Sequence, residues 1–353
     1  MEEQGPWLTV SLAAVVRNAR HFGSLVGVPI MPMVKANAYG LGAVAVARAL
    51  DLAAPWGFGV ATLAEARALR EAGIGRPIVA FWPFRSEWIA EYLALGVRPA
   101  IGDLADLDVW LDRSPAPFHI EIDTGMGRAG FRWHADDTLA AVSTRLQGAA
   151  GFEGIFTHFA SADSSESATT LQWSRFESIV AGLGSRPSLI HAANSAAGQW
   201  RGRFAGNLAR PGIFLYGGEA GALVGEPVVE LSAGVISVRP IRAGDPVSYG
   251  GTYLAGADAE VATLAIGYAD GLHRTLGNSG LVSIGGREWP IAGRVTMDMT
   301  MVVAPRGAVR PGDVATLLGG RVGLDRQAAR AGTISYELLT AIGSRVVRRY
   351  SEA

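Results

Sequence analysis

A single lysine, Lys35, stands among 30 arginines in this chain. Replacing surface lysine by arginine costs little, because both cations solvate well, so a compositional bias accounts for the arginines. It does not account for the survivor. A guanidinium stays protonated, whereas a lysine amine can lose its proton and form a Schiff base with a carbonyl. The retained lysine therefore points to amine chemistry. Lys35 follows the apolar run 28–34 and precedes Ala36-Asn37-Ala38-Tyr39-Gly40-Leu41-Gly42. Other polar groups share its position at the end of an apolar run. Arg128 lies in Asp123-Thr124-Gly125-Met126-Gly127-Arg128, His158 in Thr157-His158-Phe159, and Arg210 in Ala209-Arg210-Pro211-Gly212, while Asn194 and Ser195 follow the run 188–192. Each has a plainer reading: a snorkelling lysine, a satisfied core histidine, a glycine turn, a serine helix cap. Their shared register is the stronger signal. It makes a site only if the runs are strands that end on one side of one sheet.

The pattern of the chain supplies such strands. Apolar runs near 28–34, 56–60, 77–81, 97–101, 117–123, 152–158, 188–192 and 207–211 alternate with amphipathic stretches. Residues 11–26 carry Leu12, Val15, Val16, Ala19 and Phe22 at helical spacing. Thr62-Leu63-Ala64-Glu65 reads as a capping box, and Ser86 as a similar start before Trp88, Ile89, Tyr92 and Leu93. Repeated strand–helix alternation implies a parallel sheet, and about eight strands in this span imply a closed (β/α)8 barrel whose chemistry sits at the strand ends. An open doubly wound sheet is the competing topology. After about residue 222 the texture changes. Val228–Pro240, Glu260–Tyr268 and Pro290–Val303 are rich in Val, Ile and Thr, with helices expected near 324–331 and 334–343. The expected fold is thus α/β, with a barrel over 1–222 and a mostly-β domain over 223–353, the first few residues packing on the β domain.

Composition narrows the classes. The chain has 353 residues, 49% hydrophobic and 18% charged, with a formal net charge of −1. That is a globular, two-domain composition without the basic surplus of a nucleic-acid binder. There is no cysteine, so disulfides, thiolate catalysis and cysteine metal sites are excluded, and no metal is expected. Met1-Glu2-Glu3-Gln4 is acidic with no apolar core behind it, and no charge-free run is long enough to span a bilayer. A cytoplasmic location, away from membranes, is the expectation.

The stretch Val34–Gly42 resembles the cofactor-lysine signature of the alanine racemases. The resemblance continues in order through Asp123–Arg128, Thr157–Ala160, Asn194-Ser195, Arg210–Ile213, Val247-Ser248-Tyr249-Gly250, Gly267-Tyr268-Ala269-Asp270-Gly271, Gly293–Asp298 and Tyr336-Glu337-Leu338-Leu339. It implies a pyridoxal 5'-phosphate enzyme, a homodimer in which the β domain of each subunit completes the partner's site, and interconversion of L- and D-alanine for peptidoglycan. By that resemblance Lys35 holds the cofactor and moves a proton on one face of the substrate, and Tyr249 of the partner subunit does so on the other. Arg210 faces the pyridine nitrogen and His158 orients it. Tyr39, Ser195 and the amides of Gly212 and Ile213 hold the phosphate, with Asn194 beside them. Arg128 lies near the cofactor phenolate and the substrate carboxylate, which Tyr268 and the Met297 amide of the partner subunit help to bind, and Asp298 supports that loop.

Two departures from the family pattern stand out. Many members carry a carbamylated lysine where this chain has Glu121, whose carboxylate offers Arg128 the same charge on a shorter stem. Some add a phosphate-binding tyrosine near the C-terminus, for which Ser344 is the approximate match. Competing readings are a serine or broad-specificity racemase, set by a pocket volume that sequence does not give; a barrel-type pyridoxal phosphate decarboxylase, which needs a cysteine or similar group in the second domain; and a non-enzymatic cofactor-binding protein, which has no need of Tyr249.

Overall fold

Six short strands form one parallel sheet in the order Phe58–Val60, Ile78–Pro83, Val97–Ile101, Phe118–Asp123, Phe152–Phe156 and Leu189–His191. Two extended segments join its edges. Met33 bridges Gly59, Ile30 bridges Ala209, and Leu208 bridges His191, all parallel. The Met31 N–H donates to the Ala209 carbonyl at 2.7 Å and the Val34 N–H to the Gly59 carbonyl at 2.8 Å. Eight parallel segments thus close a ring, where a doubly wound sheet would leave two open edges. The computed structural model describes residues 5–351; the acidic start Met1–Gln4 lies outside them.

The helices between these strands follow the local signals. Leu12–Val26 buries Val15, Val16, Ala19 and Phe22. The Ser11 hydroxyl accepts the Ala14 N–H at its start, a contact worth about 1 kcal/mol. Leu63–Glu71 opens with both halves of the capping box in place. Ser86 differs from expectation. It opens a single 3-10 turn, Ser86–Trp88, and its N–H is taken by the Asp106 carboxylate at 3.0 Å, so the α-helix starts only at Ile89–Leu95.

The second region is an eight-stranded sheet built on the long strand Val229–Ile241. This strand pairs with Trp7–Ser11 and Val314–Leu318 over its first half and with Ala259–Leu264 over its second. Of the first few residues expected against this sheet, Trp7–Ser11 joins it, lying between Val229–Ile241 and the final strand Val347–Ser351. The stretch Pro290–Val303 is not one strand. Arg287–Pro290 pairs with Leu281–Ile284 and Thr300–Ala304 with Ala259–Leu264, with a single bridge from Ile291 to Val302 between them. The residues between loop out, because the Thr296 hydroxyl and N–H both bind the Met299 carbonyl and close a turn. Helices Leu324–Ala331 and Ser335–Thr340 occupy the expected places. Among the described residues no helix is long and apolar enough to cross a membrane.

Candidate active site

Lys35 begins a turn that the chain does not adopt readily. Ala36, Asn37, Ala38 and Tyr39 all have φ between 51° and 56°, a left-handed helical turn of non-glycine residues. Each such residue costs about 1–2 kcal/mol, so neighbours must hold it. The Glu65 carboxylate does so: it accepts the Ala36 N–H at 2.7 Å and the Ala61 N–H at 2.7 Å while serving the capping box. The Asn37 side-chain oxygen accepts the Ala43 N–H at 2.8 Å. The turn aims Lys35 and Tyr39 into a cavity of about 130 Å³ at the C-terminal ends of the strands, lined also by Arg128, His158, Asn194, Ser195, Arg210, Gly212, Ile213 and Tyr336. Larger grooves along helix Glu166–Gly182 have no lysine, histidine or tyrosine among their described lining residues.

The charges in this cavity are tuned by burial. Burial lowers the Lys35 amine below the usual lysine range, and the cations of Arg128 and Arg210 lower it further. That favours the neutral, nucleophilic amine. Arg210 is buried and donates to the His191 Nδ1 at 2.7 Å, the His191 carbonyl at 2.8 Å and the Thr157 carbonyl at 2.8 Å. Burial pulls it down to about 9, still charged at neutral pH. His158, expected to orient Arg210, reaches it only at 3.5 Å; the shorter bond belongs to His191. Burial and the surrounding cations take His158 down to about 3, so it is neutral. Glu121 is 5% exposed, and burial raises its carboxyl to about 7 against the pull of Arg128 and Arg210.

The opposite end of the cavity is a cradle of donors. The Ser195 hydroxyl oxygen accepts the Gly212 N–H at 2.7 Å and the Phe214 N–H at 3.3 Å, which leaves its own proton to donate. The Gly212 amide is therefore committed to Ser195, while the Ile213 amide opens the short turn Ile213–Tyr216. Asn194 acts on the backbone, accepting the Ala197 N–H at 3.0 Å. A Cβ at Gly212 would lie 2.2 Å from the Tyr39 hydroxyl, so only glycine fits. Tyr336, from the β region, lines the cavity, and its ring lies 5.9 Å from that of Tyr39. Ser344 is exposed and lines nothing here. The C-terminal tyrosine of the site is thus Tyr336, a residue already inside the quoted motif. His191 was legible too: it stands at the end of a strand, the same register rule that picked out His158.

Tyr249, Tyr268, Met297 and Asp298 do not line this cavity. They share another face. The Tyr268 and Ala269 N–H groups donate to the Thr296 and Met297 carbonyls at 2.9 and 3.0 Å, and the Ser248 hydroxyl donates to the Arg294 carbonyl at 2.7 Å. Arg345 ties the loop down, donating to Asp270 and Asp298 at 2.8 Å each. Tyr249 is 71% and Met297 53% exposed. The within-chain site is therefore the Lys35 cavity, and these four residues form a separate outward patch.

Comparison with known proteins agrees across the whole chain. The family model described as alanine racemase, N-terminal domain, matches residues 10–220, and that described as alanine racemase, C-terminal domain, matches 228–350. An alanine racemase of Carboxydothermus hydrogenoformans is 38% identical, covering 98% of this chain and 99% of its own. The solved alanine racemase of Bartonella henselae with covalently bound pyridoxal phosphate superposes with a TM-score of 0.91 at 30% identity, over 98% of this chain and 99% of its own. That of Bacillus anthracis with bound L-Ala-P gives 0.89 at 34% identity, over 99% and 95%. With both of its family models matched in order and a relative at this identity over nearly its full length, the chain belongs to the alanine racemase family.

Proposed function

We propose that this chain is a pyridoxal-phosphate-dependent alanine racemase, a cytoplasmic homodimer that interconverts L- and D-alanine and supplies D-alanine for peptidoglycan. One observation carries the reading: a single cavity joins the only lysine, a buried arginine and a hydroxyl–amide anion cradle. The residues fit the cofactor. Lys35 supplies a neutral amine, Arg210 a donor for a ring nitrogen, and Ser195, Tyr39, Tyr336 and the Ile213 amide supply donors for a phosphate. The glycine-only approach at Gly212 keeps that cradle open. When bound, pyridoxal phosphate is an electron sink that makes the α-hydrogen of an amino acid acidic.

Lys35 Nζ anchors the cofactor and moves the α-proton on one face. Inversion requires a second acid–base group on the other face. Tyr249 of the partner subunit is that group, and the exposure of its patch, away from its own chain's cavity, supports a site shared between subunits. Arg210 can only donate, so a cofactor ring nitrogen facing it would have to accept and stay unprotonated, which would weaken the sink and suppress transamination. Arg128, with Tyr268 and the Met297 amide of the partner subunit, binds the substrate carboxylate, and Asp298 steadies the loop through Arg345. Glu121 presents its carboxyl toward Arg128 in place of the family's carbamylated lysine. The barrel of 1–222 thus carries the cofactor, and 223–353 completes the partner's site. A serine or broad-specificity racemase is not favoured, since the relatives cited above are named for alanine.

The test is direct. Purified protein with pyridoxal phosphate should gain a visible absorption band, and borohydride reduction should fix the label on Lys35. A chiral assay should then show alanine interconverting from either enantiomer. Label elsewhere, or no interconversion, would overturn the reading.

A further inference from the structure

The inside of a parallel barrel is normally packed by aliphatic side chains. Here two histidines, His119 and His191, lie fully buried in it. Polar groups at that depth cost free energy unless bonded, and these are bonded in series. Arg210 meets His191 Nδ1 at 2.7 Å, His191 Nε2 meets His119 Nδ1 at 2.8 Å, and His119 Nε2 meets the Glu153 carboxylate at 3.2 Å. Arg98 closes the chain on Glu153 at 2.9 and 3.3 Å. Glu153 and Arg98 are each the second residue of their strands, so the series runs from the cavity to the opposite mouth of the barrel. Its surroundings are shaped to it. The Phe156 ring stacks on His191 at 5.0 Å, and a Cβ at Gly154 would fall 2.5 Å from His119 Nδ1.

The chemistry of the two ends leaves one arrangement of protons. Arginine only donates, so His191 Nδ1 must accept. Burial and the Arg210 cation push His191 far below the usual imidazole range, and burial lowers His119 despite Glu153, so both rings are neutral. A neutral His191 accepting at Nδ1 carries its proton on Nε2 and donates to His119 Nδ1. His119 in turn carries its proton on Nε2 and donates to Glu153. Partial burial pushes Glu153 up, but its hydrogen bonds with His119 and Arg98 outweigh that and hold it down to about 2. Reversing the series would set two N–H groups against each other at the 2.7 Å contact of Arg210 with His191.

We propose that Glu153, by accepting at the far mouth, fixes the tautomers of His119 and His191 and thereby holds Arg210 in its donating position in the cavity. The three are positioning residues; only Arg210 meets the cofactor, and that last consequence rests on the reading above. A buried carboxylate that fixes the tautomer of a working histidine is a known physical device; here it is extended through a second imidazole to an arginine.

Nitrogen NMR of ¹⁵N-histidine protein without cofactor tests the tautomers directly, with only six histidines to assign. His119 and His191 should both be neutral with the proton on Nε2. Glu153→Leu leaves Arg210 alone to select the tautomers, so both rings should gain a minor population protonated on Nδ1 in which His191 no longer accepts from Arg210. Arg98→Met breaks the ion pair but keeps the carboxylate, so the tautomers should stay. In the loaded enzyme Glu153→Leu should raise abortive transamination per racemisation turnover roughly tenfold, and Arg98→Met should raise it far less. Wild-type rings protonated on Nδ1, or equal effects of the two variants, would overturn the proposal. The tautomers are read without turnover, so a wild-type protein that failed to racemise alanine would sink the functional reading and leave this one to be decided by the spectra.

Discussion

At Glu121 burial and charge oppose each other, and burial wins: the carboxyl rises from its ordinary 4.5 to about 7. The folded state therefore binds this proton more tightly than the unfolded chain. The resulting stability is complete below pH 4.5 and disappears as the pH rises through 7, roughly 3 kcal/mol in all. Glu121→Gln removes it. In the cofactor-free protein the stability difference between wild type and variant should fall across that window in urea titrations; parallel profiles would reject the assignment. Above pH 7 the ionised carboxylate is available to Arg128, and there turnover of the variant should drop several-fold. Unchanged kinetics would count against any role in orienting Arg128.

The left-handed turn from Ala36 to Tyr39 is the element that presents Lys35. Its conformation is paid for by the Glu65 and Asn37 hydrogen bonds rather than by local preference. Ala36 is exposed, so a larger side chain there meets no packing barrier. Ala36→Val should nonetheless cost about 1–2 kcal/mol, because a β-branched residue resists positive φ. It should also slow covalent attachment of the cofactor to Lys35. Urea midpoints and the growth of the visible band measure the two effects; a variant equal to wild type in both would show that the turn carries no strain.

For the whole molecule, three imidazoles, His119 and His191 fully buried and His158 half-buried in the cavity, set the acid limit. His119, His158 and His191 are held neutral, chiefly by burial. Their folded values lie below the ordinary 6.5, so the unfolded chain binds more protons there and stability falls as pH drops below 6.5. Each contributes up to about 1.4 kcal/mol per pH unit, and Glu121 offsets one of the three down to pH 4.5. Denaturant unfolding from pH 7 to 5 should therefore show steep destabilisation, which a flat profile would contradict. Assembly gives a second whole-molecule prediction. If each site combines Lys35 of one subunit with Tyr249 of its partner, a mixed dimer of Lys35→Ala and Tyr249→Phe chains holds one intact site and one doubly damaged. Random subunit exchange should restore about a quarter of wild-type activity from two inactive proteins. No recovery would place both residues in one chain's site.

The amino-acid sequence by itself determined the alternation of strand and helix, the capping box at Thr62 and the register that puts Lys35, Arg128, His158, Ser195 and Arg210 at strand ends. Those features are local: period, cap chemistry and run length are written within a few residues of each other. Only the tertiary structure decided the rest. The runs 28–34 and 207–211 were legible as barrel segments, but not that they would close the ring through single bridges rather than full strands. The first residues were expected on the β domain, but the pairing of Trp7–Ser11 with a strand more than 200 residues away was not legible. Tyr336 enters the cavity where Ser344 does not, and His191 takes the short bond to Arg210 that His158 was expected to make. Glu65 was legible as a cap, but its hold on Ala36 depends on two loops meeting in space. Partner choice among buried polar groups depends on distances between strands remote in sequence, and no local pattern encodes those distances.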